Sequence, residues 1–294
     1  MHKSPVKIWL KAIRPKTLYA SVAPVVLGTA MAFGDGIHDF LIASLALIGA
    51  VCIQILTNLV NDYCDCLRGA DNIHRIGPTR VMQAGLVTNK QMLSAIFILL
   101  LIIVGISYFL VLRGGIPIIL IGILSIVSGI LYTAGPIPLG YVGLGELFVL
   151  IFFGPVAVGG TYYVQSLEIN TAVILAGLGP GFLSAAILIV NNLRDIETDA
   201  QSGKKTLAVR FGAAFAKQEY FFCITSACLV PVMVYSYIQD HLIILTSVTV
   251  IYFAIPVIDV VYSHRDGPSL NASLANTGKL LMIYCTLFGL GWII

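Results

Sequence analysis

Long apolar stretches dominate the chain, and short clusters of Gly, Pro and charged residues separate them. Each stretch is continuously apolar and does not alternate in polarity, which favours membrane-spanning helices over the strands of a membrane barrel. The pattern therefore predicts an all-α polytopic membrane protein with about nine spans. Their expected positions are 17–34, 40–61, 92–112, 115–133, 143–164, 170–193, 219–238, 241–262 and 279–294.

Composition narrows the class of protein further. Of the 294 residues, 58% are hydrophobic and only 11% are charged, whereas a soluble domain carries about 25% charged residues. So few charges could not cover a soluble protein of this size, which excludes a soluble enzyme. Nine spans leave no room for a large soluble domain, so we interpret 1–294 as a single transmembrane domain.

The basic residues predict the orientation of the spans. With nine spans and the N-terminus in the cytoplasm, all of the 17 Lys and Arg residues except Arg113 lie on the cytoplasmic side, as the positive-inside rule requires. We expect a multi-pass protein of the cell membrane. The basic N-terminal segment is interpreted as a helix on the membrane surface and not as a cleaved signal peptide. The net charge of +3 reflects this topology and does not indicate nucleic-acid binding.

Two acidic clusters end the second and the sixth apolar stretches, at the predicted cytoplasmic surface. Their polar residues repeat at steps of three and four, which on a helix places side chains on one face. Carboxylates this close repel one another unless a cation joins them, and oxygen ligands of this kind suit Mg²⁺. The clusters contain Asn58, Asp62 and Asp65 in the first motif (58–71), and Asn191, Asp195 and Asp199 in the second (191–199).

The two motifs also resemble each other. Asn-x-x-x-Asp begins at Asn58 and again at Asn191, four spans later, so both motifs face the same side of the membrane. This spacing predicts a parallel internal repeat whose two half-sites meet in one cavity. Basic residues follow each motif, which suggests a diphosphate bridged by Mg²⁺ and held by cationic side chains. The basic residues are Arg75, Arg80, Lys204 and Arg210.

Other interpretations stay open at this point. Charged residues at a helix end also mark the water boundary, and this explanation of Asp71 is as good as a direct role. A secondary transporter with a parallel repeat is an alternative, although transporter sites usually lie near the bilayer midplane. A non-catalytic scaffold is a third, against which the presence of both acidic motifs argues.

These motifs resemble the UbiA superfamily of intramembrane aromatic prenyltransferases. The acidic motifs alone specify the superfamily, and further strings resemble its branch that acts on 1,4-dihydroxy-2-naphthoate. One departure is Gly69, where much of the superfamily has a further Asp, and Asp71 is the nearby substitute. The likeness runs from about residue 8 to the end of the sequence. The matching strings are 14–18, 61–65, 69–71, 75–83, 132–141, 145–146 and 203–212.

The resemblance implies nine helices around a central cavity and a Mg²⁺-dependent enzyme in the lipid bilayer. It would transfer a polyprenyl group from a polyprenyl diphosphate to 1,4-dihydroxy-2-naphthoate, with loss of CO₂ and diphosphate. The product would be demethylmenaquinone, an intermediate of menaquinone biosynthesis. Other aromatic acceptors, such as 1,4-dihydroxy-6-naphthoate, 4-hydroxybenzoate or homogentisate, stay open.

The resemblance also implies roles for individual residues. The metal ions would be held by Asp62, Asp65, Asp195 and Asp199, with Asn58 and Asn191 assisting. The diphosphate would be held by Arg75, Arg80, Lys204 and Arg210. Further candidates near the reactants are Asn61, Asp71, Tyr132, Tyr141 and Glu146. The tyrosine rings could stabilise a prenyl cation, although a packing or membrane-interface role is the preferred explanation of them.

Overall fold

The computed structural model describes residues 4–68, 77 and 80–294. Within these residues the chain forms helices and loops and no strand, which confirms the expected fold class. Short 3₁₀ turns cover Pro15–Thr17, Leu139–Tyr141 and Leu242–Thr249, and Phe152–Val156 forms a π-helical segment. The helices are α1 (Pro5–Ile13), α2 (Tyr19–Gly34), α3 (Phe40–Leu67), α4 (Asn89–Leu131), α5 (Gly145–Ile151), α6 (Ala157–Ser166), α7 (Thr171–Arg194), α8 (Ile196–Gln201), α9 (Leu207–Ile238), α10 (Val250–Ser263) and α11 (Gly267–Ile293).

All nine apolar stretches lie on these helices. By length and composition, six helical segments of the described chain are able to span a membrane, and a seventh joins them if the bent pair Pro5–Thr17 and Tyr19–Gly34 counts as one span. The protein is therefore a multi-pass membrane protein. The number nine stays a prediction, because this count treats α4 as one helix and does not include α11.

Helix α4 contains two of the predicted stretches and doubles back on itself. It has 43 residues, so a straight helix would be about 65 Å long, roughly twice the thickness of the hydrocarbon core. Its backbone breaks at Gly115, where φ is +64°, a conformation that glycine adopts without strain. Ile103 before the break and Ile126 after it pack on the same cluster around Leu56. The two arms of α4 are therefore antiparallel.

The N-terminal helix α1 packs across one end of α3. Ala12 is buried there against Leu59, with Ile8 and Trp9 partly buried beside it. The chain then bends by 54° before α2 begins. Asn58 fixes this bend, because its Nδ2 donates hydrogen bonds to the Ile13 carbonyl at 2.9 Å and to the Thr17 hydroxyl at 3.1 Å. The first acidic motif is thus covered by the N-terminal segment.

Helix α7 forms the centre of the fold, since it is the most buried of the spanning helices and packs on α5, α9 and α11. Small residues let α5 approach it closely. A Cβ atom at Gly181 would lie 2.5 Å from the Leu150 carbonyl oxygen, which no real side chain tolerates. This contact sets the position of α5 against the second acidic motif, which lies at the far end of α7.

A polar contact joins three helices at the opposite end of the bundle. Asp35, which directly follows α2, accepts hydrogen bonds from Trp292 Nε1 of α11 at 2.8 Å and from the Tyr162 hydroxyl of α6. The His241 ring stacks on Trp292 with 4.4 Å between centroids. One carboxylate therefore links helices that are far apart in sequence.

We expect Asp35→Ala to lower the thermal unfolding temperature in detergent, because two hydrogen bonds to a charged acceptor are lost. The expected loss is about 1–2 kcal/mol, small because Asp35 is exposed. Glu168→Ala is the matched control: this exposed glutamate lies at the same end and bonds to Ser166 only through its backbone atoms. Equal melting shifts in the two variants would contradict a role for this contact.

Candidate active site

A cavity of about 400 Å³ lies among α2, α3, α4, α5, α6 and α7. Asp65, Asp195 and Asp199 line one end of the cavity. Ala46 and Val164 line a part of the cavity that is farther from these acids. Ala46 and Asp65 are 19 residues apart on α3, which corresponds to about 28 Å along the helix axis. The cavity is thus charged at one end and apolar over most of its length, which suits a ligand with an anionic head and an oily tail.

The structure brings most of the predicted site residues to this cavity. Asp62, Glu146 and Arg210 do not line it, and Asp71 and Arg75 lie outside the described residues. The predicted residues that do line it are Asn58, Asn61, Asp65, Arg80, Tyr132, Tyr141, Asn191, Asp195, Asp199 and Lys204.

The first motif lies on one continuous helix, as its spacing predicts. Asn58, Asp62 and Asp65 are all buried on the last turns of α3. Asp62 Oδ2 accepts a hydrogen bond from the backbone N–H of Val81 at 3.2 Å. Asp62 therefore holds the segment that carries Arg80 against α3.

Asp65 is the most connected carboxylate of the site. Arg80 donates to its Oδ2 at 3.1 Å, and the Tyr141 hydroxyl donates to its Oδ1 at 2.9 Å. The Lys204 ammonium lies 3.9 Å from the same carboxylate. Two hydrogen-bond donors and one ammonium group, from three separate loops, thus converge on one side chain that is almost completely buried.

Lys204 joins the two acidic motifs. Its ammonium lies 3.3 Å from Asp199 as well as 3.9 Å from Asp65. It also lies over the ring face of Tyr141, 5.0 Å from the centroid. The two motifs therefore meet around one position that a positive charge occupies, which agrees with the expectation that they form a single site.

The second motif does not lie on one helix. Asn191 is on the last turn of α7, Asp195 lies between α7 and α8, and Asp199 is on α8. The expectation that steps of four place all three on one helical face is therefore wrong in detail. The turn at Asp195 nevertheless leaves all three side chains lining the same cavity.

Arg194 organises the second motif, and sequence reasoning assigned it no role. Its guanidinium makes a two-pronged contact with Asp195 at 2.8 and 2.6 Å. It also donates to Asn191 Oδ1 at 2.8 Å and to Asn271 Oδ1 of α11 at 2.6 Å. The position of Arg194 inside the motif, three residues after Asn191, was the sequence signal for such a role. A basic residue at a helix end more often faces water, and this explains why the role was not predicted.

Arg210 occupies a different place from the one expected. Its guanidinium donates to the backbone carbonyls of Lys205 at 3.0 Å and Val142 at 2.9 Å. The Lys205 N–H in turn donates to the Tyr141 carbonyl at 2.8 Å. In the structure, Arg210 fastens the loop of Lys204 to the loop of Tyr141.

The carboxylate groups at the charged end fit a divalent cation that is coordinated partly by the protein and partly by a bound substrate. No three His, Cys, Asp or Glu side chains of the described segments lie close enough to hold a metal by themselves. The carboxylates of Asp65 and Asp199 nevertheless face one another across a cation, the Lys204 ammonium. Mg²⁺ usually takes only one or two carboxylates and completes its shell with water and substrate phosphate oxygens.

Tyr141 is held as a hydrogen-bond donor. Burial, and then the negative charge of Asp65 beside it, raise the pKa of the Tyr141 hydroxyl well above its ordinary value. The neutral form is therefore the one that the folded protein favours. Tyr141 keeps its proton, and keeps donating to Asp65, over the whole physiological pH range.

Comparison with known proteins identifies the family of this chain. The model of the UbiA prenyltransferase family matches residues 21–288, more than nine-tenths of the chain. The chain belongs to the UbiA prenyltransferase family. It is 41% identical over 244 residues to the 1,4-dihydroxy-2-naphthoate octaprenyltransferase of Escherichia coli strain K12, covering 81% of this chain and 79% of that one. It is 36% identical to the enzyme of the same name from Haemophilus influenzae, covering 100% of this chain and 98% of that one.

Solved structures of UbiA homologues share the fold. A homologue from Archaeoglobus fulgidus, bound to GPP and Mg²⁺, superimposes with a TM-score of 0.70 at 18% identity, covering 97% of this chain and 99% of that one. A homologue from Aeropyrum pernix K1 gives a TM-score of 0.69 at 16% identity, covering 92% and 96% of the two chains. At these identities the likeness establishes the UbiA fold alone.

We expect Arg194→Met to destabilise this UbiA protein by about 3–5 kcal/mol, because it leaves the buried Asp195 carboxylate without its partner. The double variant Arg194→Met/Asp195→Leu removes both charges and should recover part of that loss. Thermal unfolding in detergent measures both effects. The control is Arg265→Met, a change at an exposed arginine. A double variant no more stable than the single one would contradict the buried pair.

We expect Tyr141→Phe to lower the prenyltransferase activity several-fold, because Asp65 loses one of its hydrogen-bond donors. The alkaline limb of the pH profile should stay the same between about pH 8 and pH 10, since the raised pKa keeps the hydroxyl protonated there. Activity measured across this range in wild type and variant checks both points. An alkaline limb that the wild type shows and the variant lacks would mean that Tyr141 titrates in this range.

Proposed function

We propose that this protein transfers a polyprenyl group from a polyprenyl diphosphate to 1,4-dihydroxy-2-naphthoate. Diphosphate and CO₂ leave, and the reduced (quinol) form of demethylmenaquinone is produced, a step of menaquinone biosynthesis. The observation that carries the proposal is the meeting of both acidic motifs around one cationic position at the mouth of a long apolar cavity. The naphthoate octaprenyltransferases at 36–41% identity support the choice of acceptor.

The charged end of the cavity would hold the diphosphate of the donor. Arg80 and Lys204 line this end and would donate to phosphate oxygens, exchanging part of their contact with Asp65. Asp65, Asp195 and Asp199, with Asn58 and Asn191, would hold Mg²⁺, which when bound would neutralise charge on the diphosphate. The homologue from Archaeoglobus fulgidus was solved with GPP and Mg²⁺, which supports this assignment.

The apolar part of the cavity would hold the prenyl chain and the aromatic ring. Breaking the allylic C–O bond leaves positive charge on the prenyl carbon, and the electron-rich ring attacks that carbon. The rings of Tyr132 and Tyr141 line the cavity, Tyr141 at its charged end, and present faces that attract a cation. Lys204 already lies over the Tyr141 ring in this way. Apolar walls also exclude water, which would otherwise capture the cation.

The chain itself supplies the expected orientation in the membrane. The acidic motifs share one end of the bundle with Arg80 and Lys204, and the distribution of Lys and Arg along the sequence favours the cytoplasmic side for this end. The site would then face the compartment in which a soluble aromatic acid and Mg²⁺ are available, in the cell membrane.

The direct test is to incubate purified protein in detergent or lipid with Mg²⁺, a long-chain polyprenyl diphosphate and 1,4-dihydroxy-2-naphthoate. A prenylated product lacking one CO₂, detected by mass, is the expected result. The parallel reactions contain 1,4-dihydroxy-6-naphthoate, 4-hydroxybenzoate or homogentisate. Product from one of these alone would keep the reaction class and change the acceptor. An intact diphosphate with every acceptor would refute the proposal.

We expect Asp65→Asn and Asp195→Asn each to lower transfer at least about 100-fold, because charge stabilisation of the leaving group is lost. Each variant keeps a polar side chain of the same shape, so the chain should still fold. Asp240→Asn is the control, an exposed aspartate at the other end of the bundle. Product formation is measured at saturating Mg²⁺. Near-wild-type turnover in both site variants would exclude these residues as metal ligands.

A further inference from the structure

Glu146 is a buried acid that neither the metal site nor the diphosphate site uses. It lies on the first turn of α5, inside a membrane-spanning segment, and is only 7% exposed. Its Oε1 accepts a hydrogen bond from Asn192 Nδ2 at 2.7 Å, and its Oε2 has no hydrogen-bond partner among the described residues. Burying a polar atom without a hydrogen-bond partner costs free energy.

Its partner, Asn192, lies at the wall of the cavity. Asn192 lies between Asn191 and Asp195 of the second motif and lines the cavity, whereas Glu146 does not. The Glu146 contact takes up Asn192 Nδ2, and no residue described in the structure donates to its Oδ1. The side chain therefore brings a hydrogen-bond acceptor to the cavity wall beside the metal site.

The identity of residue 146 fixes the orientation of this amide. Asn192 Nδ2 donates to Glu146 Oε1, so the NH₂ group of Asn192 turns towards Glu146 and its Oδ1 turns away. A glutamine at position 146 would both donate and accept, and would allow either orientation of the amide. The close packing of α5 on α7 at Gly181 holds the two residues in this register.

The surrounding walls suit a flat aromatic ring. Tyr132, Phe148 and Phe152 line the cavity together with Asn192, and the two Phe rings stack with 6.0 Å between centroids. Aromatic walls bind the faces of a planar ligand. An acceptor atom such as Asn192 Oδ1 on the same cavity lining can pair with a hydroxyl group on such a ring.

We propose that Asn192 Oδ1 accepts a hydrogen bond from a ring hydroxyl of the aromatic acceptor, and that Glu146 is the positioning residue that orients it. This inference rests on the proposed function, because it assigns the acceptor end of the same cavity. It makes Asn192 a binding residue for the hydroxyl group, and it explains why a carboxylate is buried behind it.

The kinetic test uses Glu146→Gln and Asn192→Ala. Each should raise the KM for the hydroxynaphthoate about tenfold, the effect of one lost hydrogen bond. The KM for the polyprenyl diphosphate should stay unchanged. Because Glu146 acts through Asn192, the double variant should be no worse than Asn192→Ala alone. Glu197→Gln, an exposed glutamate on α8, removes the same charge and should change neither constant.

A binding test separates this inference from the reaction itself. The protein is titrated with 1,4-dihydroxy-2-naphthoate and with its methyl ethers, in which a methyl group replaces a hydroxyl hydrogen. No polyprenyl diphosphate is added. The wild type should bind the free hydroxyl compound about tenfold more tightly than the corresponding ether, and both variants should lose this preference. If Glu146→Gln does not fold, Asn192→Ala performs the test alone.

The outcomes are distinct. Equal preference in wild type and in Asn192→Ala overturns the inference, even when the wild type turns over. Parallel changes in both KM values would also overturn it, because they would indicate a general structural role. The wild-type protein could fail to produce any prenylated product and still prefer the free hydroxyl compound, with Asn192→Ala lacking that preference. This pair of results would refute the proposed function and leave the inferred hydroxyl site supported.

Discussion

The contact of one ammonium group with two carboxylates determines how the rest of the site is built. Lys204 lies between Asp65 and Asp199, which belong to distant parts of the chain. Without a positive charge at this position the two acidic motifs would repel each other across the cavity mouth. The fold therefore has to bring a cation to the place where the two halves of the chain meet. The loops carrying Tyr141 and Lys204 are fastened together by Arg210 for the same purpose.

Two buried ion pairs lie at this end of the cavity, and in each the partner makes the burial of a charge tolerable. Arg80 pairs with Asp65 and Arg194 with Asp195, both with little exposure to solvent. An ion pair of this kind contributes little net stability, since desolvation offsets most of the attraction. Its value is in orientation, because the side chains that would hold metal and phosphate are fixed before the ligands arrive. The apolar remainder of the cavity needs no such support, and its walls consist mainly of small and aliphatic residues.

Much of this architecture could be predicted from the sequence, because hydrophobic length and the spacing of acids have direct physical consequences. The apolar stretches predict the helices, and the pair divided near residue 113 corresponds to the two arms of α4. Asn58, Asp62 and Asp65 follow from helical spacing alone. What spacing does not reveal is burial or a break in a helix. Arg194 and Arg210 look alike in the sequence, yet one lies inside the second motif and the other joins two loops. The contact of Arg194 with Asn271 of α11 is likewise supplied only by tertiary structure.

Helix α11 connects the two ends of the molecule. Asn271 near its start binds Arg194 beside the acidic motifs, and Trp292 near its end binds Asp35 on the opposite side. These positions are 21 residues apart, about 31 Å along a helix. The helix thus sets the distance between the candidate active site and the opposite end of the bundle, where Asp35 lies. Any shortening, insertion or kink in α11 would put one of its two anchors out of register. Sequence change in this helix is therefore constrained in its length as well as in its side chains.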